Sequence, residues 1–283
     1  DAINCHSYLT YNMCKDNFPE KTTFIPHALP NNIFYRLESE EILHEKSRIL
    51  GKERKDNFVC LWMNRNCKRK RPADVLRSWK LFLDMLPEKE KNNVTLLMHT
   101  NPEDSAGNNL YEVGNMLDIL DSLAFSTEVL DEKLINIIHN ISDVCLNISF
   151  NEGFGLTTLE SMQVGNPIIA SKTGGLYRQV INYKDGSMNG IGLETKFKTL
   201  VGSQNIPYIF EEYVSCEDTA IAIKNIYRLN DLEKDRLSKK VELYAKEEFS
   251  YEKSIELWHN SIQDVVNIYD NKKTRKSVRI TNL

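Results

Sequence analysis

A doubly wound α/β domain built on a parallel sheet is the fold class this 283-residue sequence predicts. Three observations predict it. Strand-length apolar runs alternate with helical segments from Phe58 onward, the order that buries a parallel sheet under helices on both faces. Two of those runs, FVCLWM (Phe58–Met63) and VTLLMH (Val94–His99), are apolar almost throughout rather than at every second position, as strands covered on both sides are. The third is Asp143–Gly165, DVCLNISFNEGFGLTTLESMQVG, which passes from an apolar run through a glycine loop into a short helix stopped by Gly165 and Pro167.

In chain order, Glu38–Lys55 is charged and either helical in pattern or poorly ordered, and Phe58–Met63 is the first buried strand. Ala73–Leu86 is an amphipathic helix with apolar residues near i, i+3, i+4 and i+7. Val94–His99 is a second strand, Asn101–Asn109 a loop, Leu110–Leu120 a helix and Leu123–Ser126 a short strand. Asp131 is placed to cap a helix over Glu132–Ile141. After Asp143–Phe150 and the helix Leu156–Val164 come a strand (Pro167–Ser171), a short helix (Leu176–Ile181) and a glycine-containing turn (Asp185–Gly192). Lys196–Val214 is irregular, suggesting a lid or a subunit contact, and Asp218–Asn230, Leu232–Glu248 and Tyr251–Tyr269 are helical.

Hydrophobic content of 41% and charged content of 27% describe a globular protein with ample length for a core. A net charge of −4 gives no global attraction to nucleic acid or to a membrane surface. No apolar run approaches the roughly 20 residues of a membrane span. The six cysteines are scattered without a C-x-x-C pair, so a reducing, cytoplasmic setting is expected. Of the sequons at Asn93, Asn140 and Asn147, the last two fall in a predicted helix and strand and are discounted.

The chemistry concentrates in Asn151–Gly165. A strand, a glycine loop and a helix aim free backbone N–H groups at an anion. Glu152 stands in that loop, and Glu160 lies about one helical turn further in. Carboxylates beside an anion site suit hydroxyls, so the stretch points to a phosphate flanked by polyols, as in a nucleotide sugar. The bland alternative is two exposed acids favoured by the helix macrodipole.

EGFGLTTLE resembles the Glu-x7-Glu motif of retaining glycosyltransferases of the two-Rossmann GT-B architecture, specifically glycosyltransferase group 1, or family 4. IIASKTGGL (Ile168–Leu176) is similar to that family's next strand and Gly-Gly turn, and FVCLWMNRNCKRKRP (Phe58–Pro72) to its first donor-domain strand followed by Arg-x4-Lys. The resemblance covers roughly Phe24–Tyr269. It implies a Rossmann-like donor half: residues 1–20 as a remnant of the N-terminal acceptor domain, most of which is expected to be missing, 21–254 as the nucleotide-sugar-binding domain, and 255–283 as a crossing helix with a basic tail.

Residue by residue, the resemblance implies that Arg65 and Lys70 hold the donor diphosphate and neutralise it as it leaves. The alternative for Lys68–Arg71 is a solvated basic loop or a nuclear-localisation or nucleic-acid patch. Glu160 is expected on the ribose hydroxyls and Glu152 on the transferred sugar. Backbone at Gly153, Phe154, Gly155 and Leu156 meets sugar and diphosphate, and Gly174 and Gly175 bring backbone close to the same ligand. Base selection is expected around Ser126–Val129, including Thr127. The family commonly has glycine at the position of Arg71, and many relatives have Pro and Glu where Tyr177 and Arg178 stand. Arg178 is thus either an extra ligand or a helix-surface charge. The lone histidines His27, His99 and His139 lack metal-ligand spacing and are expected to be structural.

The implied activity is metal-independent hexosyl transfer from a nucleoside diphosphate sugar to an acceptor hydroxyl with retention of configuration. No Asp-x-Asp occurs, no metal ligands are expected and no cofactor is implied. Rival readings are a non-catalytic sugar-nucleotide-binding module, a GT-B epimerase or phosphorylase, and, more distantly, a nucleic-acid protein. Base, sugar, glycan, lipid or protein acceptor, and oligomeric state are not written in these motifs.

Overall fold

The computed structural model describes residues 2–275. It opens with a small unit, β1 (Ile3–Cys5), α1 (Tyr8–Asn17) and β2 (Thr22–Phe24), in which the two strands pair in parallel. Then follow α2 (Ser39–Leu50), β3 (Phe58–Met63), α3 (Pro72–Asp84), α4 (Glu88–Lys91), β4 (Val94–His99), α5 (Leu110–Met116), β5 (Leu123–Ser126) and α6 (Glu132–Asn140). The second half runs β6 (Val144–Asn147), α7 (Leu156–Gln163), β7 (Ile168–Ser171), α8 (Leu176–Val180), β8 (Gly190–Leu193), β9 (Phe197–Val201) and β10 (Ile209–Tyr213). Three helices close the chain: α9 (Cys216–Tyr227), α10 (Asp231–Glu248) and α11 (Tyr251–Arg275).

Six strands form one parallel sheet in the order β5-β4-β3-β6-β7-β8. The order runs outward from β3 in one direction and from β6 in the other, so the chain reverses direction of travel between them. In open α/β sheets that reversal leaves a crevice beyond the carboxyl ends of the two central strands. Every residue of β3 is buried. Phe58, Cys60 and Trp62 join the core beneath α3 and α9, while Val59, Leu61 and Met63 face α2 and α6, the two-sided alternation of a covered strand.

β3, β4 and β5 have the bounds the sequence predicts. Other elements differ for local reasons. The apolar run at Asp143–Phe150 pairs only over Val144–Asn147, because the Asn147 carboxamide accepts from the backbone N–H of Ser149 (3.2 Å) and from its hydroxyl (2.6 Å), drawing the chain off the ladder. α5 stops at Met116, two residues before Asp118 turns left-handed at φ 55°. The predicted glycine turn at Asp185–Gly192 ends in a sixth strand, β8. A Cβ on Gly190 would lie 2.0 Å from the Ile168 carbonyl, so glycine is what lets this edge strand approach β7. Lys196–Val214 is not irregular but an antiparallel pair, β9 with β10.

α11 returns to the opening unit: the Ser261 hydroxyl donates to Asn4 Oδ1 at 2.9 Å, and Trp258 tilts against His6. The expected basic tail lies, from residue 276 onward, outside the described residues. Asn140 and Asn147 are buried, and the six cysteines are free thiols. Among the described residues no helix is long and apolar enough to cross a membrane.

Candidate active site at the centre of the sheet

The loops that leave β3 and β6 meet over the carboxyl ends of those strands. Lys70, on the β3 loop, makes a direct ion pair with Glu152 on the β6 loop. Arg69 adds a hydrogen bond to the Asn151 carbonyl (2.9 Å) and a longer contact with the Glu152 carboxylate (3.4 Å). Lys70 is largely shielded from water, and burial pushes its ammonium below the usual lysine range while Glu152 pulls it back up. A cation and an anion from opposite sides of the crevice therefore hold one another.

Arg71 ends the basic loop with φ 56°, a left-handed conformation that glycine adopts most readily. Its guanidinium offsets the cost. Nε donates to Asp74 at 2.8 Å and Nη2 to the Val214 carbonyl at 3.0 Å, and the group lies 5.0 Å from the Phe150 ring centre and 5.6 Å from that of Tyr213. Arg71 is thus a buried fastener between the β3 loop, the β6 loop and the end of β10. Arg65 stands apart. Its side chain is mostly exposed and pairs with Asp104 (Nε to Oδ2, 2.8 Å), which raises the arginine's pKa and lowers the carboxyl's. Asn66, fully buried, ties that same β3 loop to residues 101–108 through donation to the Asn108 carbonyl (2.7 Å) and acceptance from its N–H (3.2 Å).

The helix N-terminus is open. Gly155 sits at φ 92° before α7, and no side chain caps the helix, so its first N–H groups have no acceptor from the chain's own caps. Gln179 sets this turn from behind, donating to the carbonyls of Phe154 (2.8 Å) and Gly155 (3.1 Å) while accepting from the Thr158 hydroxyl (2.5 Å). Nothing stands within 4 Å of a Cβ built on Gly153, whose α-carbon faces open space. Leu156 is exposed, whereas Phe154 is buried edge-on to His27 and Phe249. Of the four residues named for backbone contact, Phe154 turns its side chain into the core.

The Gly174–Gly175 turn props the loop. The Gly175 N–H donates to the Glu152 carbonyl at 2.9 Å, and a Cβ on Gly175 would come within 2.3 Å of Phe154 Cα. A Cβ on Gly174 would meet the Glu152 carbonyl at 2.0 Å. Both glycines permit backbone-on-backbone contact.

Glu160 lies further along α7 and accepts from His139 Nε2 at 3.0 Å. His139 is fully buried, and its Nδ1 has no hydrogen-bond partner among the described residues. Beyond it His99, at the end of β4, bonds Ser126 Oγ through Nδ1 (2.9 Å), and burial followed by the neighbouring His139 holds its pKa low. Thr127 comes directly after β5 on the same edge of the sheet. Sequence reasoning treated His99 and His139 singly; the fold lines them up with Glu160. Nor did sequence reasoning anticipate Asn66, Gln179 or the fastening by Arg71, whose partners lie far away in sequence. For Gln179 the available signal was a polar residue inside the predicted helix Leu176–Ile181, whereas Asn66 stands in a loop and carried none.

Arg178 is braced rather than presented. It pairs with Glu248 and stacks on Tyr183 (3.7 Å to the ring centre), Tyr8 (4.6 Å) and Phe24 (5.0 Å), tying α8 to α10 and to the opening unit. Among the described residues no group of three or more His, Cys, Asp or Glu is arranged to hold a metal ion.

Residues 44–196 match the family model for glycosyl transferases group 1. The trehalose synthase of Thermococcus litoralis is 28% identical over 115 residues, 40% of this chain and 27% of that protein. The D-inositol 3-phosphate glycosyltransferase of Streptomyces avermitilis is 30% identical over 134 residues, 46% of this chain and 28% of that protein. The chain thus spans under a third of the curated relatives it matches. Among solved structures, Anabaena HepE in complex with UDP and glucose superimposes with a TM-score of 0.70 at 15% identity, over 94% of this chain and 63% of that one. Sucrose-phosphate synthase from Thermosynechococcus elongatus gives 0.65 at 18% identity, over 98% and 59%.

Proposed function

The chain belongs to the group 1 glycosyl transferases, and from that premise we propose that it is the donor-binding half of a retaining, metal-independent hexosyltransferase that takes its sugar from a nucleoside diphosphate sugar. The observation that carries this reading is the contact of Lys70 with Glu152 across the centre of the sheet, beside the uncapped N-terminus of α7. A leaving diphosphate needs positive potential that is already in place when the bond breaks. The first N–H groups of α7 and the Lys70 ammonium supply it. Arg65 joins them by leaving Asp104, an exchange that an exposed side chain makes at small cost. With these groups in position the diphosphate requires no metal to neutralise it.

Glu152 exchanges Lys70 for the hydroxyls of the transferred sugar, so ligand binding hands the cation to the diphosphate and the carboxylate to the sugar. Glu160 takes the ribose hydroxyls, oriented by His139. The backbone from Gly153 to Leu156 lines the path between them, and the stretch after β5 that contains Thr127 contacts the base. Departure and attack occur on the same face of the sugar, with leaving-group stabilisation as the main catalytic term and no enzymic nucleophile. Complexes of the Anabaena HepE neighbour contain UDP, glucose and UDP-glucose, which supports a nucleotide sugar as the donor class.

Nucleotide titration of Glu160→Ala and Arg65→Ala tests the assignment. Both should weaken binding of the diphosphate nucleotide at least about tenfold. Unchanged affinity in both would overturn it.

A further inference from the structure

A cavity opens beside the Gly174–Gly175 turn. It has a volume of about 430 Å³ and lies between α1, the β7–α8 turn and the β9–β10 pair, a size that suits a small-molecule ligand. Tyr8, Asn12, Thr173, Gly174, Tyr177 and Tyr183 are among its walls. Gly174 belongs to the turn that abuts the Glu152 backbone, so the cavity and the sugar end of the donor site share one wall.

The cations around the cavity are committed. Arg178 pairs with Glu248, Lys172 with Glu194, and Lys198 with Glu212 at 2.9 Å. What remains is neutral: the phenol groups of Tyr8, Tyr177 and Tyr183, the Thr173 hydroxyl and the Asn12 carboxamide, none of them hydrogen-bonded to a described residue. Tyr177 is 53% exposed, and its ring makes no aromatic or cation contact among the described residues. A flat free ring with hydroxyl and amide groups around it suits a molecule with C–H faces and many hydroxyls. Each of the three cations at the cavity already has a carboxylate partner.

We propose that this cavity is the acceptor subsite and that it takes a neutral, polyhydroxylated ring. The inference rests on the glycosyl-transfer reading above, since only that reading calls for a second, hydroxyl-bearing substrate next to Glu152. Tyr177 provides the stacking face. Arg178 has an indirect part: it gathers Tyr8 and Tyr183 into the wall, which makes it a positioning residue.

The test is saturation-transfer difference NMR on the full chain. Its probes are D-glucose, D-mannose, N-acetyl-D-glucosamine and myo-inositol, with glucose 6-phosphate as the anionic control. At least one neutral probe should receive saturation, also when UDP is present in excess. Tyr177→Ala should weaken that binding roughly fivefold to tenfold, and Tyr177→Phe should retain most of it. UDP affinity should be the same in all three proteins, which separates loss of the subsite from loss of the fold. Saturation of none of the neutral probes, equal binding by Tyr177→Ala, or a preference for glucose 6-phosphate would overturn the proposal. If a neutral probe binds through Tyr177 while no nucleotide binds at all, the donor reading fails and the polyol site stands.

Discussion

Glu152 and Glu160 lie eight positions apart, yet they are held in opposite ways. Glu152 sits in a loop between two cations, Lys70 and Arg69, and its geometry depends on charge drawn from another strand. Glu160 sits on a helix with a buried imidazole at 3.0 Å, and its geometry depends on a group that cannot move away. The first arrangement is one that can exchange partners, as the proposed diphosphate would require. The second is set before any ligand arrives. One wall of the site is therefore adaptable and the other preorganised, which suits a donor whose phosphates and sugar change during reaction while its ribose does not.

The largest expected effect separates both walls from the brace behind them. Arg178→Ala leaves Glu248 buried without its cation, and thermal or urea unfolding should show a loss of about 3–5 kcal/mol. Nucleotide affinity should change less than about twofold in protein that remains folded. A large affinity loss at unchanged stability would make Arg178 a ligand of the donor instead.

Next comes the adaptable wall. If Lys70 holds the diphosphate as proposed, Lys70→Ala should reduce nucleotide affinity by about 2 kcal/mol, roughly thirtyfold, in a calorimetric titration. The pH dependence sharpens the point. A diphosphate favours the charged ammonium, so affinity should hold on the acid side of the Lys70 pKa and fall as pH rises through it. Because burial lowers that pKa, the fall should begin before an ordinary lysine titrates. Lys70→Arg should flatten it, since a guanidinium keeps its charge.

The preorganised wall should respond more gently. His139→Phe keeps the ring and deletes the hydrogen bond to Glu160, so nucleotide affinity should fall by about 1 kcal/mol, roughly fivefold. The loss should shrink with a 2′-deoxynucleotide if Glu160 reads the ribose. An equal loss for both nucleotides would mean that His139 acts through packing alone. Smallest of all, Asp104→Asn frees Arg65 and should raise nucleotide affinity roughly twofold at low salt, an effect that added salt removes.

The sequence discloses what is local and periodic. β3, β4 and β5 carry their burial in consecutive apolar residues, and Asp131 announces a helix through its own side chain, which accepts from the Leu134 N–H at 2.8 Å. Glu152, Lys70 and the two glycines of the turn belong to short motifs, and the fold brings them together. β9 and β10 escaped because no residue of either strand is fully buried, so neither shows an inward face to read. β8 escaped because its first glycine is there for contact with a neighbouring backbone, and in sequence such a glycine looks like a turn. His139, Asn66, Gln179 and the partners of Arg71 and Arg178 are known only once distant segments meet. Arg65 shows the limit from the other side: its motif is legible, but its present partner, Asp104, is not.

The most direct measurement of the central proposal is calorimetric titration of the chain with UDP, GDP and ADP, first without metal and then with magnesium. One nucleotide is expected to bind tightly, with the same affinity in both conditions, because Lys70, Arg65 and the α7 N-terminus supply the positive charge. Binding of none of the three, or binding that appears only with magnesium, would contradict a donor site built from these residues.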